Sequence, residues 1–461
     1  MGVNFSAFEI GRRALRAGQL GISVAGQNIA NVNTPGYARQ RAQLSASAPD
    51  TGGVKLTGAG VTIDGVRALR DQFIETRLQT ETGISGRLEA KRDALAPVDA
   101  AFNDAGAGIH SAMVGFFGAF RDLEARPASV PLRAEVVARA ESLATAFRGT
   151  RGRLDGIRAD NDAALRSTVD EVNSLAARVA DLNVRIDVAE SANGGAAELR
   201  DQRGELVRRL TELTGARSTE TEDGHVALTI GDGQAIVLGA TAFTLTAESA
   251  PPDGLAVLTL DGQPATIDDG SLRGLQEAIS EIGGHLASLD QLAESLASRV
   301  NALHASGADL DGNAGTALFV ASGGGTVTAA NIGIAAAIKS APQRVVAAAA
   351  GAGSGDASVA RAIAGLLGDR SSIIGASAGS YESFYVSLVT EAGAGVRSTE
   401  DALVTQQAIL AQTQAQRESV SGVSLDEEAI NLLQFQKAYE AAARFLRVAD
   451  EMTQTILSLA Q

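Results

Sequence analysis

Four histidines, no cysteine and a few aspartate-rich turns are the first places to look for reactive chemistry in this 461-residue chain. His110, His225, His285 and His304 are scattered, with neither an HExxH helix nor cysteine partners, so their spacing assembles no zinc set. Asp309-Leu310-Asp311-Gly312-Asn313 starts like a calcium loop. However, Ala314 stands where that loop needs its glycine and Val320 where it needs its bidentate glutamate. A plain turn is the better reading, and His304 beside Asp309 and Asp311 is the nearest approach to a metal set. The run Gly351-Ala352-Gly353-Ser354-Gly355-Asp356 is glycine-rich but lacks the Walker lysine, and no Gly-x-Ser-x-Gly elbow is present. The lack of cysteine excludes disulfides and thiol chemistry. No catalytic, cofactor-binding or metal-binding residue is therefore expected, and attention moves to surfaces.

The spacing does build two apolar seams, one at each end. Phe8, Leu15, Ile22 and Ile29 fall at intervals of seven, with Gly11, Gly18, Ala25 and Val32 interleaved. Leu432, Phe435, Tyr439, Ala442, Leu446, Ala449 and Ile456 step mostly by threes and fours, interrupted by the polar Thr453. Such a stripe runs along one face of a helix and must be buried against another helix. Small residues on the first seam let a partner backbone come close. The ends pair with each other, pair with copies of the same arrangement, or sit as ordinary amphipathic helices on separate domains.

The first seam runs into Gln27-Asn28-Ile29-Ala30-Asn31-Val32-Asn33-Thr34-Pro35-Gly36-Tyr37-Ala38-Arg39-Gln40. Pro-Gly marks a turn, and a residue before proline is pushed out of the α region. The helix is predicted to stop near Asn33 and an extended segment to start at Tyr37. With Asn28, Asn31, Asn33, Thr34, Pro35, Gly36 and Tyr37, this run resembles the N-terminal signature of bacterial flagellar axial proteins, the family of rod, hook and hook-associated subunits. Ser421-Gly422-Val423-Ser424-Leu425-Asp426-Glu427-Glu428, followed by Asn431-Leu432 and Phe435-Gln436-Lys437-Ala438-Tyr439, resembles the other end of that family.

Between the ends, helical periods are read at 71–95, around Met113, Phe116, Phe120 and Leu123, and from the N-cap Ser129 to about Ser191. Gly149, Gly152 and Gly156 are points where the last of these bends or breaks. Asn193-Gly194-Gly195 ends it, and a shorter helix follows at 196–213. The period then changes to two: Val226, Leu228 and Ile230, then Ile236 and Leu238, then Phe243 and Leu245. Gly-Asp-Gly at 231–233, Pro251-Pro252 and Asp261-Gly262 are the punctuation. Helix returns with Ile279, Ile282, Leu286, Leu289, Leu296 and Val300. Residues 320–380 read as irregular, with short helices at 342–350 and 357–367. Two last helices, 380–418 and 425–459, are separated by a turn, with Ser424 and Glu427 as a capping box.

The predicted fold is mainly α with a small β insertion, built of discontinuous nested domains. Terminal helices at 1–35 and 425–461 pair as a coiled-coil-like polymer core. A central long-helix bundle takes 36–215 and 272–424, with an extended hairpin near 37–70. An outer antiparallel β domain, 216–271, projects at the far tip.

A net charge of −15 with no basic face argues against nucleic acid as a partner. No stretch of 18 apolar residues reads as a membrane span, and Met1 to Leu20 hold no secretory h-region. The segments Ala197–Leu206, Val300–Gly312 and Ser380–Val389 are similar to those of the hook-associated subunits that join hook to filament. Another axial subunit, such as hook or distal rod protein, is the alternative, but those have β-dominated middles. The resemblance implies a structural role without enzyme activity or cofactor, in a ring of identical subunits. It implies hook protein and a second junction protein, hook-associated protein 3, as neighbours. An export chaperone and the type III export apparatus are implied on the way out, with an extracellular site at the hook–filament junction. Longer members carry a further β insertion between segments like Leu318-Phe319 and Tyr381. Here only residues 320–380 occupy that gap, so that outer domain is expected to be missing.

Overall fold

The computed structural model describes residues 2–34, 36–47, 60–102, 108–191, 196–221, 223–251 and 254–459. Pro35, Asn193–Gly195 and Pro252, all read above as breaks, lie outside the described residues. In chain order the elements are α1 (Gly2–Ala30), β1 (Gln40–Ala46), β2 (Val61–Ala68), α2 (Gln72–Phe102), α3 (Ile109–Ala125), α4 (Val130–Ser191) and α5 (Ala197–Thr214). The β unit spans β3 (Arg217–Glu220) to β9 (Gln263–Pro264). It is followed by α6 (Gly270–Ala305), α7 (Ala336–Ser340), α8 (Ser358–Gly365), α9 (Tyr381–Ser421) and α10 (Leu425–Leu459).

The bundle is organised by α4, a helix of 62 residues. At 1.5 Å per residue it spans about 93 Å. Val136, Leu143, Phe147, Leu154, Leu165, Val172, Val179 and Ile186 are buried in succession along it. This continuous stripe holds the helix through Gly149, Gly152 and Gly156, each of which costs about 1 kcal/mol of helix propensity. The expected breaks do not occur. α2 likewise runs past the predicted stop at Leu95 and through Pro97. Leu95, Val98, Ala101 and Phe102 are buried there. The Asn161 side chain donates to the Ala94 carbonyl at 3.2 Å, supplementing hydrogen bonding beside the proline.

An aromatic cluster forms where α3 meets the segment after α6. Phe116 lies 5.0 Å from Phe117, 5.3 Å from Phe120 and 5.4 Å from Phe319, measured between ring centroids. Residues 306–380 close the bundle at this cluster. The alanine run there, read as a helix at 342–350, is not one. A single 3-10 turn, Pro342–Arg344, leads into an extended, buried segment whose Ala348 pairs with Ala308. Its backbone groups are bound from the side. The Arg133 guanidinium donates to Val345 O, Val346 N donates to His304 Nε2 at 3.0 Å, and Ala347 O accepts from Val359 N and Ala360 N. These bonds replace those a helix would have made.

The β unit contains a four-stranded sheet, β3-β4-β5-β6, and a three-stranded one, β7-β8-β9, both antiparallel. Here β4 is Val226–Ile230, β5 Gln234–Leu238, β6 Thr241–Ala242, β7 Leu245–Ala250 and β8 Leu255–Leu260. Asp261 and Gly262 form the tight turn between β8 and β9 with φ of 48° and 78°, as an Asp-Gly hairpin turn requires. The unit does not stand at the far tip. It lies along the flank of α4, because side chains of that helix bind its strands. Asn173 donates to Leu245 O at 2.7 Å and accepts from Leu245 N at 2.9 Å. The buried Asn183 donates to Val226 O at 2.9 Å and Gly239 O at 2.8 Å. On the edge strand β3, Gln79 of α2 bonds both Ser218 N at 3.2 Å and Ser218 Oγ at 2.5 Å.

Candidate assembly site

α1 and α10 lie antiparallel, and their contact is set by missing side chains. A Cβ placed on Gly21 would fall 2.3 Å from the Phe435 ring, and one on Gly11 2.6 Å from the Leu446 side chain. One on Gly18 would fall 3.2 Å from Tyr439 Cβ and 3.4 Å from its Cα. Three glycines thus form the trough into which α10 inserts Phe435, Tyr439 and Leu446. Phe8, Leu15, Ile22 and Ile29 flank this trough, half-buried, while Ala17, Val24 and Ala25 are buried. The closest approach of the two helices therefore lies at the glycines. On α10, Leu432, Phe435, Tyr439 and Leu446 are half-buried, Ala442 and Ala449 are buried, and Ile456 is 51% exposed.

A polar clamp closes the lower end of the pair. Asn28 is fully buried. Its Oδ1 accepts from Tyr37 Oη at 2.8 Å and Gln40 N at 2.9 Å. Its Nδ2 donates to Gln40 O at 2.8 Å and Glu428 Oε2 at 3.0 Å. Glu428, 2% exposed, is held on its other oxygen by Arg39, whose Nε donates at 2.8 Å. Arg39 also reaches Glu427 at 2.6 Å, and its backbone N–H donates to Ser421 O at 2.9 Å. Burial pulls the Arg39 guanidinium down, but Glu427 and Glu428 outweigh it and hold it above its ordinary value. The Tyr37 hydroxyl is pushed up to about 12 by burial, then by the negative charges of Asp201 and Glu428. A buried carboxylate is tolerable only when so paired and hydrogen-bonded. The clamp therefore fixes where the turn after α1 meets the first turn of α10.

The remaining signature residues shape that turn. Asn31 is half-buried, and its side chain donates to Gln27 O at 3.0 Å and accepts from Thr34 Oγ1 at 3.1 Å. Asn33 and Thr34 are exposed, and Gly36 has a φ of 82° that favours glycine. Gly36 O accepts from Arg417 Nη2 at 2.9 Å, and Arg417 Nε also bonds Glu75 at 2.7 Å. Arg417 ties the turn to α2 and α9. The hairpin, grouped with the bundle in the sequence reading, packs on α1. Arg13 donates to Ser47 Oγ at 2.7 Å, and Gly60 lies against Ile10. From the sequence, Glu427 has a role only as a capping partner of Ser424, and no role in the clamp is read for Arg39, Arg417, Glu427 or Glu428. Three of them sit inside the two terminal motifs, but nothing local says that residues separated by 389 positions will meet.

The sequence's nearest metal candidate is occupied internally. His304 is fully buried, with Nδ1 against Thr316 O at 2.5 Å and Nε2 accepting from Val346 N. Asp309 Oδ1 accepts from Asp311 N at 2.9 Å and Asn313 N at 2.8 Å, which makes the segment a self-capped turn. No cluster of three or more metal-ligating side chains occurs among the described residues.

Residues 95–319 match the family model described as the flagellar hook-associated protein FlgK helical domain. Residues 8–37 match the flagella basal body rod protein, and 414–459 the flagellar basal body rod FlgEFG protein C-terminal region. Flagellar hook-associated protein 1 of Bacillus subtilis strain 168 is 27% identical, over 98% of this chain and 98% of its own length. Over nearly its whole length the chain is similar to flagellar hook-associated protein 1. The protein of that name from Escherichia coli K12 is 24% identical, over 96% of this chain and 98% of that protein. The structure of the flagellar hook junction protein FlgK from Burkholderia pseudomallei covers 75% of this chain and 100% of that one. It superimposes with a TM-score of 0.68 at 16% identity, a likeness of fold. The two rod-type matches fall on α1 with its turn and on α10, the partners in the clamp. The hook-associated protein 1 match falls on the bundle and β unit between them.

Proposed function

We propose that the chain is the structural adaptor at the hook–filament junction of the bacterial flagellum, working as a ring of identical subunits. One surface of the ring fits hook protein, and the other receives the second junction protein, hook-associated protein 3. The role is geometric, and no catalytic step is assigned to it. The chain reaches this place outside the cell through the type III export apparatus, with a chaperone covering its apolar C-terminal stretch beforehand. Among the described residues no helix is long and apolar enough to cross a membrane.

The observation that carries the reading is a second apolar stripe on α10. Val448, Met452 and Ile456 step by fours and are 53%, 57% and 51% exposed, and Phe445 beside them, 45% exposed, lies against Gly11 of α1 with one ring edge. Ile430 and Leu433, 55% and 58% exposed, continue the uncovered surface toward the clamp. Apolar surface presented by a helix in this way marks a contact with another chain. In a ring, each subunit repeats that contact.

The test is Val448→Asp with Met452→Asp. Neither position belongs to the α1 trough, so the bundle and the α1–α10 pair stay folded and the protein is still secreted. Incorporation on the hook is lost, because a charge in a dry helix contact costs several kcal/mol unless paired. Normal filaments and swimming in this strain would defeat the proposal.

A further inference from the structure

The β1–β2 hairpin carries an internal conflict that one copy of the chain does not resolve. In its antiparallel register Arg41 stands directly opposite Arg67. Residues so paired share a face, and like charges directly opposite destabilise a sheet. Both arginines are exposed, and neither is in an ion pair among the described residues. The hairpin's one described carboxylate, Asp64, is bonded to Ser45 Oγ at 2.9 Å. The other face is the apolar one, with Ala42 opposite Val66 and Leu44 opposite Ile63. A two-stranded hairpin is marginal by itself, so a repulsive pair on its polar face is a feature to be explained by what covers it.

The complementary surface is in the same chain. Residues 216–271 contain nine aspartates and glutamates against Arg217 alone. Three of the acids share one corner. Asp232 is in the β4–β5 turn, Asp261 in the β8–β9 turn, and Asp268 just beyond. These turns are joined by the Gln234 side chain, which donates to Pro264 O at 2.9 Å, and by Gly231 packed on Thr266. All three acids are exposed and none is in an ion pair among the described residues.

We propose that the Arg41–Arg67 face of the hairpin docks on the Asp232–Asp261–Asp268 corner of a second copy of this chain. The inference rests on the ring reading, which supplies the neighbouring copy. Charge complementarity selects the partner. The hairpin has cations with no counter-ion, the β unit has an uncompensated acidic corner, and a ring repeats both at every subunit boundary. The contact also removes the cross-strand repulsion, so the hairpin is better ordered in the ring than in the free chain.

The chain lacks cysteine, which makes the test direct. Full-length Arg67→Cys and Asp232→Cys variants are produced together and assembled on hooks under mild oxidation. The expected result is a cross-linked dimer formed only in the mixture. A dimer formed by the Arg67→Cys variant on its own, or no dimer in junctions that have assembled, overturns the proposal. In the second arm, Arg41→Glu with Arg67→Glu reduces incorporation at least about tenfold at low salt. Adding Asp232→Arg with Asp261→Arg to the same chain restores it, and incorporation unaffected by the first pair counts against docking. The Val448→Asp/Met452→Asp strain separates the two claims. If it fails to assemble while the arginine reversals assemble normally, the adaptor reading stands and the docking contact falls. If it assembles normally, the ring reading falls and takes this inference with it.

Discussion

Replacing Asn28 by aspartate changes one atom type and almost no volume, so its effect isolates the electrostatics of the clamp. The substitution deletes two donors, those to Gln40 O at 2.8 Å and Glu428 Oε2 at 3.0 Å. Leaving such buried acceptors unserved costs about 1–3 kcal/mol each. It also sets a second carboxylate against Glu428, where two unit charges about 3 Å apart repel by roughly 5 kcal/mol at an effective dielectric of 20. Protonating one of them at pH 7, from an ordinary value near 4, caps that repulsion at about 4 kcal/mol. Arg39 offsets part of it, because its Nε remains on the other oxygen of Glu428 at 2.8 Å. The net loss is about 3–5 kcal/mol at pH 7. The like charge raises the carboxyl pKa in the folded state, so the penalty shrinks as pH falls toward 4. Amide exchange reads this locally, since a terminal helix pair opens as its own unit. Protection across residues 8–30 is expected to fall a hundredfold or more at pH 7 and to recover partly at pH 5, while protection in α4 is unchanged. Unchanged protection of α1 at pH 7, or a loss that does not shrink on acidification, would refute the clamp.

Two further outcomes follow from the same geometry. Leu446→Asp removes a side chain that fills the space over Gly11 and is worth about 1.5–3 kcal/mol in burial. Proteolysis is expected to release α1 and α10 while the bundle survives, and the strain is expected to secrete the protein without building a junction. Burial holds His304 down at about 4, and backbone contacts and Asp309 only partly oppose it. A histidine that folds neutral contributes stability in full above its unfolded value near 6.5 and loses it as pH falls toward 4, about 3 kcal/mol in all. His285, also lowered first by burial, acts in the same direction. Urea unfolding between pH 7 and 4.5 should show the slope, reduced in His304→Gln, and an unchanged slope in that variant would rule His304 out as its source.

Periodic features were legible and side-to-side features were not. The seams on α1 and α10, the 62-residue helix and the switch to period two at Val226 each rest on a pattern longer than its local exceptions. Pro97 and Gly149, Gly152 and Gly156 misled because local propensity, near 1 kcal/mol for a glycine, is smaller than the burial of the surrounding stripe. The alanine run at 347–350 misled for the opposite reason. Its propensity favours helix, but Arg133 and His304 bind its flanking backbone from α4 and α6. The β unit could be recognised from alternation, yet its seat on α4 depends on Asn173 and Asn183, polar residues that look like solvent positions within a helical pattern. Glu428 is the clearest case. It reads as one of three acids in the first turn of α10, and only the fold brings Asn28 and Arg39 to it.

The adaptor account is tested most directly by the flagella of a strain lacking this chain, examined by electron microscopy and by assay of flagellin in the medium. The account predicts complete hooks without filaments, flagellin shed into the medium, and restoration of both by the intact gene. Full-length filaments attached to those hooks would contradict it.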